Sequence, residues 1–344
     1  MIQKGGATVQ NGRNINTIET HTFGQPTRVI DGGLFPLKGN TMKEKRDYLA
    51  ANFDYIRTAL MQEPRGHRDM FGAFITTPTL PGADAGVIFM DNSSYLNMCG
   101  HGVIGVVTAL FSSGWIQARA PQTELVLETP AGLIHTKASI DKDGSVRNVS
   151  FFNVPGFLHH RDVPVEVPGL GQVLVDIAYA GNYLAFVPAK LLGLRVEAKH
   201  SRRFKFFGKM IKDAINQQIE VIHPEKNFIK GVDIVSFYSE ATIPGAAFKI
   251  VNIYSEAQVD RSPGGTGTTA WVARLYDLGE LAMNEEIVIE GFIGGLFSGR
   301  AVKEVMVSDY RGVVVEVSGR AYLTGVQSII LNEGDLFGHG FVLE

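Results

Sequence analysis

Tyr48, Leu49, Phe53, Ile56 and Leu60 recur at helical spacing between Asn40 and Met61, and the stripe predicts an amphipathic helix there. Thr41 stands as its N-cap and Glu44 as the capping-box partner. Most of the chain carries other patterns. A strand begins at Ile15, residues 28–30 form a second, and Gly32 and Gly33 make a turn. Residues 86–90 are a short buried strand, whereas 124–128, 133–137 and 149–154 alternate at the spacing of an antiparallel meander. Residues 103–111 are apolar all round, with Val103, Ile104, Val106, Val107 and Leu110 in the pattern of a buried helix. Residues 173–180 open a second round of strands, continued at 234–238 and 248–254. The pattern predicts an α+β chain of mostly antiparallel sheet wrapped about a central helix.

With 344 residues, 45% of them hydrophobic, the chain suits two domains with buried cores. Residues 1–14 are polar and glycine-containing and read as a flexible arm. The first half is expected over 15–180 with a return at 335–344, and the second over 181–334. A net charge of −3 gives no electrostatic case for nucleic acid or an anionic membrane. The one basic concentration, 199–212, reads as an amphipathic helix turning its lysines to water. A single cysteine excludes an intrachain disulfide and a multi-cysteine zinc site, and fits a reducing compartment. Without an apolar signal core or a membrane-length apolar run, the reading is a cytoplasmic protein.

That cysteine, Cys99, sits just before a glycine-rich turn opening the 103–111 helix. A lone cysteine is commonly a small buried hydrophobe. Here, however, the pattern recurs: Met98-Cys99-Gly100-His101-Gly102 aligns with Pro263-Gly264-Gly265-Thr266-Gly267, which leads into a second apolar segment. Two helix N-termini of similar design predict two related halves meeting at a cleft, a good clamp for a carboxylate. The helix position would also give Cys99 thiolate character.

Asn97-Met-Cys-Gly-His101 and Asp260-Arg-Ser-Pro-Gly-Gly-Thr-Gly267 resemble the two signature motifs of the proline racemase superfamily, which includes proline racemases, hydroxyproline 2-epimerases and trans-3-hydroxyproline dehydratases. Thr20 to Arg28, Glu63 to Gly72 and Thr324 to Phe341 resemble its opening, next and closing segments. The resemblance implies two pseudo-symmetric halves like those of diaminopimelate epimerase, with the active site in the cleft between them. It implies a small-molecule imino acid, proline or hydroxyproline, as ligand, no cofactor or metal, and a homodimer as the candidate assembly. It implies that Cys99 is the catalytic base and that Asp260 accepts from the substrate ring nitrogen; the other reading of Asp260 is a turn or N-cap residue. Gly100, His101, Gly265 and Thr266 would hold the carboxylate, with His101 donating to it or propping the loop. Phe71 and Tyr254 match ring-facing aromatics, and core packing is the equal alternative for each. His21 reads as a surface hydrogen-bonder, and the charged run from Glu63 to Asp69 as a solvated turn.

The departure from the pattern is Gly264. Racemases and epimerases of the superfamily place a second cysteine there, and glycine carries no proton. One group on one ring face suffices for β-elimination from trans-3-hydroxy-L-proline, whose hydroxyl and α-hydrogen share a face. Dehydratases of the superfamily keep the first cysteine and lose the second, commonly to threonine. The leading expectation is dehydration of trans-3-hydroxy-L-proline to pyrroline-2-carboxylate. The alternatives are a proline racemase or 4-hydroxyproline 2-epimerase whose second acid is Thr266, Thr268, Thr269 or a water in the Gly264 gap, and a non-catalytic imino-acid binding protein.

Overall fold

The structure, a computed structural model, describes residues 12–30 and 36–343. Strands β1 (Gly12–Thr22) and β2 (Gln25–Ile30) form a hairpin, helix α1 (Met42–Met61) crosses over, and β3 (Phe71–Thr76) returns parallel to β2. Antiparallel β4 (Ala85–Asp91) and the short β5 (Tyr95–Leu96) deliver the chain to helix α2 (Gly100–Ser112). Strand β6 (Gln122–Thr129) then lies parallel to β4, and β7 (Gly132–Ile140) and β8 (Val146–Phe152) complete the meander.

The second half repeats this order. Strands β9 (Gly156–Val167), β10 (Gly171–Tyr179) and β11 (Tyr183–Pro188) run antiparallel. Helix α3 (Ser201–Gln218) crosses to β12 (Ile234–Ser239), parallel to β11, and β13 (Phe248–Tyr254) and β14 (Gln258–Asp260) lead to helix α4 (Gly265–Asp277). Strand β15 (Glu286–Glu290) lies parallel to β13, followed by antiparallel β16 (Leu296–Val307) and β17 (Tyr310–Gly319). Strand β18 (Ala321–Asn332) closes back on β1. The expected architecture of two related α+β halves is therefore present.

The pairings move the crossing points. Strands β9 and β10 pair within the second half, so the chain passes over between Phe152 and Gly156 and returns at Arg320, not near residues 180 and 335. Local patterning could not show this, because a strand looks alike on either side of a crossing. The predicted arm lies outside the described residues up to 11, and residues 12–14 belong to β1; the expected turn at Gly32 and Gly33 also lies outside the described residues.

Burial explains the continuous apolar runs. Along β4, Val87 and Phe89 face the core around α2, while Ile88 and Met90 face the core under α1. A strand covered on both faces loses its polar alternation. Helix α2 is buried along nearly its whole length, which is why it is apolar all round. At α1 the cap forms as expected: Glu44 N–H donates to Thr41 Oγ1 at 3.1 Å, and the Glu44 carboxylate accepts from Asn40 N–H at 2.7 Å.

The repeat extends to a buried carboxylate in each half. Glu128 on β6 accepts from the Thr79 N–H and hydroxyl and from Leu80 N–H; Glu290 on β15 accepts from the Thr242 N–H and hydroxyl and from Ile243 N–H. Burial opposes the charge on each, but these bonds, with Lys249 at Glu290 and Lys45 near Glu128, hold both below the usual glutamate range.

Helix α3 buries Phe204, Gly208, Ile211, Ala214 and Ile215. Its lysines do not all face water, contrary to expectation. Lys205 reaches Asp69, Lys209 reaches Glu256, and Lys212 donates to Ser255 O at 2.6 Å. Among the described residues no helix is long and apolar enough to cross a membrane.

Candidate active site

Helices α2 and α4 meet at their N-termini, one from each half. One small cavity of about 50 Å³ there is lined by Phe71, Cys99, Gly100, His101, Tyr254, Asp260, Gly264, Gly265 and Thr266, all singled out from the sequence. Strand β3 begins with Phe71 and β13 ends with Tyr254, so the two buried rings arrive from opposite halves. Outside lies a hollow of about 450 Å³ bordered by Lys43, Arg46 and Lys226, which shares Met98, Asn182 and Thr266 with the inner cavity.

Cys99 is the N-cap of α2, with extended backbone at φ −151°. Its Sγ lies 3.2 Å from His101 Nδ1. Burial outweighs the helix position in its effect on this thiol. Burial pushes the thiol well above its ordinary range, and the nearby Asp260 carboxylate adds to the push. The N–H groups of Gly102 and His101 act the other way and are outweighed. Helix-end dipoles are worth about 0.3–1 kcal/mol in ordinary settings, less than the burial of an anion costs.

His101 is also buried, and burial, seconded by Arg261, lowers its pKa to about 3. It is therefore a neutral imidazole at physiological pH, and its 3.9 Å approach to Asp260 Oδ2 is not an ion pair. The ring edge packs on Phe71 at 4.4 Å between centroids, and the His101 carbonyl accepts from Thr22 Oγ1.

Asp260 makes the turn that was one of the two readings weighed for it. Oδ1 accepts from Ser262 N–H and Oγ at 2.9 and 2.8 Å, a local turn that fixes the carboxylate. Oδ2 makes no such bond. Burial raises Asp260 to about 6, against the Ser262 bonds and Arg261. It is mostly ionised at neutral pH.

Gly264 caps α4 at φ +73°, ψ 135°, a conformation unlike that of Cys99 and one that side chains rarely adopt. A Cβ there would lie 2.9 Å from Asp260 Oδ2 and 3.0 Å from Asn252 Nδ2. Of the candidate threonines, only Thr266 lines the cavity. Thr268 and Thr269 are fully buried, and Thr269 donates to Gly265 O.

Some of the surroundings were not foreseen. The charged turn before β3 is a seam between the halves: Asp69 takes Arg261 at 3.2 Å and Lys205 at 3.4 Å, Gln25 accepts from Arg261, and Gln258 donates to Arg68 O and Asn92. Alternating charges gave no sign of partners so far away in sequence. Asn252 and Asn182 also line the cavity and went unmarked, since each lies outside both motifs. His21, held outside the catalytic set, accepts from Gly24 N–H and stacks on Tyr322.

The site joins a thiol, a carboxylate and two helix N-termini between related halves, an arrangement suited to abstracting a proton beside a carboxylate. The chain belongs to the proline racemase family, whose model matches residues 17–342. It is 46% identical over 332 residues to the proline racemase of Clostridioides difficile, covering 96% of this chain and 99% of the other. It is 39% identical to the trans-3-hydroxy-L-proline dehydratase of Burkholderia ambifaria, over 96% of this chain and 98% of that one. The crystal structure of a hydroxyproline epimerase from Agrobacterium vitis with bound trans-4-hydroxy-L-proline superposes with a TM-score of 0.89, at 30% identity, over 97% of this chain and 96% of the other.

Proposed function

We propose that this chain is a cofactor-independent hydro-lyase acting on trans-3-hydroxy-L-proline. The observation that carries the reading is Gly264: opposite Cys99 there is no side chain, and the backbone there has a conformation that disfavours one. The substrate carboxylate lies between the N-termini of α2 and α4, whose N–H groups favour the negative charge that grows there as the α-proton leaves. The ring ammonium docks at Asp260 Oδ2 and offsets the carboxylate's share of what holds the Cys99 thiol up, a share smaller than that of burial. The neutral imidazole of His101, 3.2 Å from sulfur, steadies the thiolate.

The thiolate takes the α-proton, and the electron pair of the broken C–H bond becomes the Cα–Cβ double bond. The C–O bond at C3 breaks, and the departing hydroxide receives the proton from Cys99 on the same ring face, leaving as water. The enamine product tautomerises to pyrroline-2-carboxylate. Inversion at Cα would need a proton from the opposite face, where Gly264 has none to give. The lone thiol also suits a reducing, cytoplasmic setting.

A second reading is an isomerase, favoured by the 46% identity to a proline racemase and by the position of Thr266 on the cavity. Proton NMR in deuterium oxide with L-proline, trans-4-hydroxy-L-proline and trans-3-hydroxy-L-proline in separate tubes decides. Loss of only the 3-hydroxy compound to a pyrroline supports the hydro-lyase. Deuterium at Cα with the opposite stereoisomer appearing overturns it.

A further inference from the structure

We infer that Asn252 is a second receiver of the substrate's ring nitrogen, acting beside Asp260, so that the site recognises a secondary ammonium by both of its N–H groups. The inference rests on the imino-acid reading above, though not on which reaction follows.

Asn252 on β13 is the direct register partner of Asp260 on β14, and both side chains are buried and line the cavity. The amide nitrogen of Asn252 donates to Pro263 O at 2.9 Å, which fixes the orientation of the group. Its Oδ1 is buried without a hydrogen-bond partner. A buried amide oxygen left unpaired costs about 1–3 kcal/mol, so such groups in a cavity wall point to a ligand donor. Asp260 presents the matching situation, with Oδ1 held by Ser262 and Oδ2 without a bond. Asp260 Oδ2 and Asn252 Nδ2 both lie within 3.0 Å of the point where a Gly264 Cβ would stand, which sets the two groups side by side. A pyrrolidinium nitrogen carries two N–H donors pointing to opposite sides of its ring. Asp260 Oδ2 offers a charged acceptor and Oδ1 of the neighbouring Asn252 amide a neutral one, and the two match that pair.

The test is calorimetry on the full chain with L-proline, whose ammonium has two N–H groups, and with pyrrole-2-carboxylate, whose neutral nitrogen has one. Asn252→Leu is expected to lower the preference for L-proline over pyrrole-2-carboxylate about tenfold or more. Asn252→Asp keeps an acceptor in the same volume and is expected to retain or increase that preference, even though its bond to Pro263 is lost. If Asn252 serves only to anchor the loop carrying Asp260, both ligands weaken together and the preference stays constant in both variants. That result, or no change with either ligand, overturns the inference. A wrong assignment of the reaction would leave these binding ratios unaltered and would show only in the product NMR.

Discussion

Gly100 and Gly265, the first residues of α2 and α4, touch across the cleft: a Cβ built on Gly265 would stand 2.5 Å from the Gly100 Cα, and one on Gly100 would intrude equally on Gly265. Each glycine also backs onto the ring of Phe151. No side chain fits, because the two helix ends are in backbone contact. Gly100→Ala and Gly265→Ala should each push the halves apart and cost activity by about a hundredfold or more, since displacements near 1 Å at a reacting centre have that effect. Steady-state kinetics with a parallel thermal melt would check this; near-normal turnover in either variant would show that the contact is not required.

Cys99→Ala should abolish turnover of trans-3-hydroxy-L-proline while leaving calorimetric binding of L-proline within a few fold, because the thiol is assigned to proton transfer and not to holding the ligand. Retained turnover in that variant is the result that would sink the proposed role.

Gly264→Cys should not restore a two-thiol isomerase. The residue sits at φ +73°, and a side chain in such backbone costs of order 1–3 kcal/mol. The expected outcome is a lower melting temperature and no racemisation of L-proline, measured by polarimetry. Brisk racemisation would mean that the backbone at 264 readjusts easily.

The pH dependence follows from Asp260. Its carboxylate must be ionised to hold a ring ammonium, so kcat/KM should fall as pH drops through about 6. Stability runs the opposite way. Because the folded value lies above the ordinary 3.8, the folded chain keeps a proton in that window that the unfolded chain has lost, and stability declines as pH rises from about 4 to 6. The ionised group then costs up to about 3 kcal/mol at neutral pH. Asp260→Asn should accordingly melt higher than the parent at neutral pH, lose that advantage near pH 4, and be inactive.

The repeated carboxylates behave conventionally. Glu290→Gln replaces an acceptor of two N–H groups and a hydroxyl with a weaker one and leaves Lys249 without its charged partner, so a loss of about 2–4 kcal/mol is expected by urea denaturation. Since the folded pKa of Glu290 is depressed, the stabilisation it provides is present above the ordinary glutamate value of 4.5 and fades as pH falls below it.

Some of this was written plainly in the chain. Thr41 and Glu44 announce the start of α1, and the twin turns at Cys99 and Gly264 announce two helix ends facing one cavity, because caps and glycine turns are local chemistry. The crossing at Phe152 to Gly156 was not legible, since it depends on which strand lies alongside. Nor was the raised thiol of Cys99, because helix position is local and burial is not. Asn252 escaped notice for the same reason: its relation to Asp260 exists only through the pairing of β13 with β14.

The pairing of β8 with β17 has a mechanical consequence. Val149 to Phe152 and Glu316 to Gly319 are the stretches at which the chain leaves each half, and they are bonded to each other. They form a spine, and Phe151 within it lies directly behind Gly100 and Gly265. Any opening that keeps this spine intact is a rotation about it, as of a book. The helix ends, lying against the binding, would hardly travel. The contact of Arg261 with Asp69 joins the halves outside this spine and would have to part for the cleft to open.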